Sequence, residues 1–63
     1  MMERIVEDRR IDGHRVVIVE DVTDEGSGFL LFVDDIVLNG NEPLGRVPSD
    51  GEVRALMRAR GVL

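Results

Sequence analysis

The apolar residues of this chain gather in two short runs, and neither run alternates with polar positions. Val16-Val17-Ile18-Val19 is β-branched throughout, and Phe29-Leu30-Leu31-Phe32-Val33 is apolar from end to end. Successive side chains of a strand point to opposite faces. Each run therefore predicts a strand that is apolar on both sides. Val16 and Ile18 share one face and Val17 and Val19 the other; Leu31 and Val33 likewise oppose Leu30 and Phe32.

Around these runs the signals are weaker. Residues 3–11, Glu-Arg-Ile-Val-Glu-Asp-Arg-Arg-Ile, fit a charged edge strand. Asp12-Gly13 follows, a dipeptide suited to the positive φ of a two-residue hairpin loop. Thr23 to Gly28 reads as a loop on composition, with Gly26-Ser27-Gly28 a flexible linker. Asp34-Asp35 interrupts the second apolar run before Ile36-Val37-Leu38, which places the tip of a second hairpin there. One long strand from Phe29 to Leu38, turning at Asn39-Gly40, is the alternative. Residues 39–48, with two Gly and two Pro, form a loop.

The C-terminal segment carries the clearest local signature. Ser49-Asp50-Gly51-Glu52 has the Ser-x-x-Glu spacing of a capping box, in which hydroxyl and carboxylate satisfy backbone N–H groups at a helix start. Val53, Leu56 and Met57 then share one face, with Arg60 closing the stripe. Asp50 lies four residues before Arg54, a favourable order for an ion pair along a helix. Gly61 is placed to end the helix.

These elements predict a single α+β domain over residues 1–63. It is a small antiparallel sheet of three to four strands, built as two hairpins, with one C-terminal helix packed on one face. A helix of about 11 residues covers one side of such a sheet at most. A chain of 63 residues has nothing left for the other side, and a second copy of itself is the simplest cover.

Composition sharpens that expectation. A domain this small buries only about 60% of the surface exposed when unfolded. Disulfides and thiolate zinc sites are excluded, because the chain has no Cys. Oligomerisation remains as the usual supplement. Without a signal-like N-terminus or a run of roughly 20 apolar residues, the chain reads as cytoplasmic, with no membrane partner.

The net charge of −5 argues against direct nucleic-acid binding, which normally uses a basic face. All eight cations are Arg, and none falls between Val16 and Gly45, a block holding seven carboxylates. Solubility alone accounts for a charge of this size.

Catalytic chemistry finds little to work with. The only His, His14, flanks a turn, and a general base needs a positioned partner and a cleft. Glu20-Asp21, Asp24-Glu25 and Asp34-Asp35 lack the spacing of a calcium loop. Neighbours on a strand also point to opposite faces. Ser27 sits among glycines and Ser49 is used by the cap; without Lys there is neither a Schiff base nor a phosphate-loop lysine. Arg46, Arg54 and Arg58 lack the aromatic platform of a nucleic-acid groove. No cofactor, metal or catalytic residue is expected.

The function these features predict is that of a non-enzymatic, dimeric interaction or regulatory module. It would bind an unidentified, basic protein partner through its sheet. The apolar contact set is Val17, Val19, Leu30 and Phe32 if theirs is the face the helix leaves open, with Glu20, Asp21, Asp34 and Asp35 as an acidic rim. Periodicity does not choose between that set and Val16, Ile18, Leu31 and Val33. The alternative function is a nucleic-acid mimic or phage-style inhibitor whose carboxylates occupy a basic groove of a host protein, which needs a one-sided row of carboxylates.

Overall fold

In a computed structural model describing residues 2–63, four strands and one helix follow in the order β1 (Met2–Ile11), β2 (His14–Thr23), β3 (Gly26–Val33), β4 (Ile36–Val37) and α1 (Asp50–Ala59). The strands form one antiparallel meander in sequence order, β1-β2-β3-β4. It is an α+β fold, with the C-terminal helix against one face.

The turns explain the register. Asp12 and Gly13 sit at φ 51° and 83°, and Asp34 and Asp35 at 49° and 70°. Both pairs supply the two positive φ values that match the right-handed twist of a hairpin. The turn at Asp34-Asp35 excludes a single strand running to Leu38. Between β2 and β3 the connection is shorter than composition suggested. Thr23 pairs with Gly26 across Asp24-Glu25 alone, and the Thr23 hydroxyl accepts from the Glu25 N–H at 3.3 Å and donates to the Gly26 carbonyl at 3.2 Å. Gly26-Ser27-Gly28 is therefore the start of a paired strand rather than a flexible linker, and a third hairpin joins the two that sequence suggested. Glycine composition misled because Gly28 is there for a close approach: a Cβ on it would lie 2.5 Å from Cβ of Pro43.

β1 is the open edge. Its pairing with β2 is interrupted by a bulge between Ile5 and Glu7, which lets Val6 pack against the core. Bulges and charges both discourage edge-to-edge addition of a further strand. At the opposite edge β4 has only two residues, and the chain closes the rest of β3 by other means. Leu44 exchanges both backbone hydrogen bonds with Phe29 at 2.9 Å, and Leu38 N–H donates to Leu31 O at 2.8 Å.

The helix settles which face is core. Val16, Ile18, Leu31 and Val33 are buried with Ile11, Leu38, Val53 and Met57, so these strand residues form the covered side. Ser49 caps α1 as a complete capping box. At its end, Val62 N–H donates to Met57 O and Gly61 N–H to Arg58 O, with Gly61 at φ 77°. That is a Schellman closure, which returns Val62 to the core beside Met57. The Asp50–Arg54 pair expected along the helix does not form. Asp50 instead accepts from Arg9 Nη1 at 2.9 Å, and Arg54 Nε donates to Asp12 at 3.1 Å. Both residues tie the helix to β1 and its turn, contacts that helical spacing cannot reveal.

Candidate interaction surface

On the face opposite the helix, the register lays residues in rungs. Ile5, Val19 and Leu30 lie side by side on β1, β2 and β3. The next rung holds Asp8, Val17, Phe32 and Val37. Val17, Val19, Leu30 and Phe32 are half-buried, while Ile5 and Val37 are 65% and 40% exposed. The set Val17, Val19, Leu30 and Phe32 thus belongs to the open face. Two further apolar residues, Ile5 and Val37, join it. Sequence reasoning missed them because their own segments are polar or short; the cross-strand register alone reveals them.

The centre of this face is a shallow depression of about 390 Å³ lined by Ile5, Arg15, Val17, Val19, Phe32 and Asp35. One end of the face carries Glu3 and Asp21, paired across β1 and β2, with Gly28 next to Asp21 on β3. Beside Gly28, where Pro43 takes the place a side chain would fill, lies a notch of about 190 Å³ bounded by Asp21, Thr23, Gly28 and Pro43 among others. Asp21 Oδ1 is buried there and has no hydrogen-bond donor among the described residues. At the other end, Arg10 and Arg15 stand directly opposite each other. Asp8 engages Arg15 through Nη2 at 2.9 Å and Nε at 3.4 Å. This contact lowers the Asp8 pKa and raises that of Arg15, to which nearby Asp35 also adds.

The four carboxylates expected as a rim do not surround one face. Asp21 and Asp35 border the open side. Glu20 shares the helix side with Ile18, by strand alternation, and accepts from Arg4 Nε at 2.8 Å. Asp34 turns to His14, with Oδ2 2.6 Å from Nδ1, and its Oδ1 accepts from Arg15 N–H at 3.2 Å. Those bonds, the His14 contact first, hold the Asp34 carboxyl below its ordinary range. Sequence adjacency suggested one rim; alternation and turn geometry split it.

Elsewhere several polar groups are engaged in structure. His14 is a half-buried partner of Asp34 rather than a free turn residue. Arg46 grips Glu52 through two bonds of 2.7 and 2.8 Å. Arg9 contacts Glu7, Asp50 and the Pro48 carbonyl. Among the described residues, no group of three His, Asp or Glu comes together in a way that could hold a metal ion, and no helix is long and apolar enough to cross a membrane. Compared with protein-family models, with curated proteins and with solved structures, the chain finds no match.

Proposed function

We propose that this protein is a non-enzymatic interaction module that binds a protein partner through the open face of its sheet. The observation that carries the proposal is the contiguous apolar surface of Ile5, Val17, Val19, Leu30, Phe32 and Val37, left uncovered beside a core the helix already completes. Contiguous apolar surface bounded by charges marks interfaces rather than solvent-adapted surface. Support for a non-catalytic role comes from the placement of the candidate groups: His14, though paired with Asp34, lines neither the depression nor the notch, and Ser49 and Glu52 are engaged at the helix start.

Phe32 is the natural anchor, as the aromatic among the residues that line the depression. The test is affinity capture from the native host with the wild type, Phe32→Ser and a control altered away from this face, Arg58→Ala. A protein retained by wild type and control and lost with Phe32→Ser supports the proposal. Equal retention by all three overturns it. With the partner in hand, charge removal at Asp35 should slow association and lessen its salt dependence, because rim charges steer encounter more than they hold.

The inhibitor-by-mimicry reading gains no specific support. Glu20, Asp34, Asp8, Asp12, Asp50 and Glu52 each have a basic partner within the chain, so they do not make a one-sided row of free carboxylates.

A further inference from the structure

We infer that the occupant of the open face is a second copy of this chain, stacked with its strands running the opposite way. The inference rests on the interaction-module reading and names its partner. It follows from the order of rungs on that face. Along β2 the outward residues read Arg15, Val17, Val19, Asp21; along β1 they read Glu3, Ile5, Asp8, Arg10. Each strand has an apolar or mixed centre and opposite charges at its two ends.

Two sheets that face each other in a twofold dimer are related by an axis lying between them, in the plane of the interface. If that axis runs along the strands, like ends meet. Glu3 and Asp21 of one copy then face the same carboxylates of the other, an arrangement costly when desolvated. If the axis runs across the strands, between the Val17 and Val19 rungs, opposite ends meet. Val17 then lies over Val19 of the second copy, Phe32 over Leu30, Asp21 over Arg15 and Glu3 over Arg10. Asp8 and Asp35 also flank Arg15, so the arginine end is close to neutral as a whole. The crossed arrangement therefore removes the carboxylate-on-carboxylate apposition and sets each acidic end against a nearly neutral end that presents two arginines, and the parallel one does not.

Two details of the monomer fit this arrangement. Asp21 Oδ1 is a buried acceptor without a donor among the described residues, and an orphaned buried acceptor calls for a partner. Asp8 uses Nε and Nη2 of Arg15, leaving Nη1 without a partner among the described residues. The notch lets a guanidinium approach the Asp21 carboxylate from its open side, Oδ1 itself being enclosed. Stacked sheets cross at about 30°, and a rung about 10 Å from the axis is then displaced by about 5 Å, within the reach of an arginine side chain. The bulged and charged β1 edge disfavours the other common route to a sheet dimer, extension strand by strand.

Sedimentation equilibrium on the whole chain tests the inference through charge reversal. The wild type should sediment at about twice the 7.0 kDa chain mass. Arg15→Glu and Asp21→Arg should each raise the dimer dissociation constant about tenfold, since each places like charges at two symmetry-related contacts. Combining both changes in one chain should restore dimerisation to within about threefold of wild type. The carboxylate introduced at position 15 would still face Asp8 within the chain, so recovery has to come across the interface. An equimolar mixture of the two single variants should associate more tightly than either alone, and circular dichroism confirms that each is folded. Should a variant not fold, Glu3→Arg with Arg10→Glu provides the same cycle on β1.

A wild type monomeric at about 100 μM, a concentration at which a stable interface would be saturated, overturns the inference. So do single reversals without effect, or a double reversal no better than the singles. A monomer that still loses its captured protein on Phe32→Ser would remove the second copy while leaving the interaction-module reading in place.

Discussion

Leu31 donates its backbone N–H to the side-chain oxygen of Asn39, at 2.8 Å, in the place where a neighbouring strand would offer a carbonyl. Asn39 Nδ2 donates in turn to the carbonyls of Phe29 at 3.0 Å and Glu42 at 3.2 Å. One buried amide, only 4% exposed, thus continues the ladder where β4 stops at Val37. It also folds the 39–48 loop back so that Leu44 can pair with Phe29.

Asn39→Ala should therefore destabilise the domain by about 2–3 kcal/mol, because a buried N–H loses its acceptor and the loop its anchor. Asn39→Asp should cost at least as much at neutral pH. It keeps the acceptor for Leu31 but sets a carboxylate oxygen against two carbonyls. Urea midpoints measure both; a midpoint unchanged in Asn39→Ala would mean that the loop holds its path without the amide.

Gly28→Ala should destabilise by about 1–3 kcal/mol, the usual range for forcing extra volume into a packed contact. The added Cβ would sit 2.5 Å from Pro43 Cβ, whereas a Cβ at Gly45 would meet nothing within 4 Å. Comparing thermal melts of Gly28→Ala and Gly45→Ala separates the steric effect from the general loss of a glycine. Similar melting temperatures for the two variants would rule the close approach out.

At the start of α1, Ser49→Ala should cost about 1 kcal/mol by removing the acceptor for the Glu52 N–H. Coincident denaturation curves for variant and wild type would show that this hydrogen bond contributes nothing.

Acid should weaken the same site. Glu52 is lowered from 4.5 to about 2, first by its bonds from Arg46 and then by the Ser49 N–H. A carboxylate held below its unfolded value contributes stability that is complete above about pH 4.5 and is lost as pH falls through about 2. Asp8 and Asp34, lowered through Arg15 and His14, slope the same way. Melting temperature should thus fall between about pH 5 and 2, and the gap between wild type and Glu52→Gln should narrow over that range. A gap constant with pH would assign the Glu52 contribution to something other than its charge.

How much of this was legible in advance follows from the range of the forces involved. The capping box, the Asp12-Gly13 turn and the two apolar strands were readable because each depends on residues within a few positions of one another. Three things were not. Gly26-Ser27-Gly28 reads as linker by composition, and only the distant Pro43 gives Gly28 its purpose. The pairing of Asp50 with Arg9 and of Arg54 with Asp12 joins residues 41 and 42 positions apart, where spacing along a helix carries no information. Ile5 and Val37 join the open face only through cross-strand register.

By itself, the sequence determined that Val16 to Val19 and Phe29 to Val33 would be strands with two apolar sides, and that a single short helix could cover one of them. It left the two sides equivalent, since alternation divides residues into two sets without saying which is inward. The tertiary structure broke that symmetry. The hairpin turns fix the register, the Asn39-anchored loop delivers the helix to one side, and Arg9 and Arg54 hold it there. Val53 and Met57 then bury Val16, Ile18, Leu31 and Val33, and Val17, Val19, Leu30 and Phe32 remain outside because the one helix is spent on the opposite side.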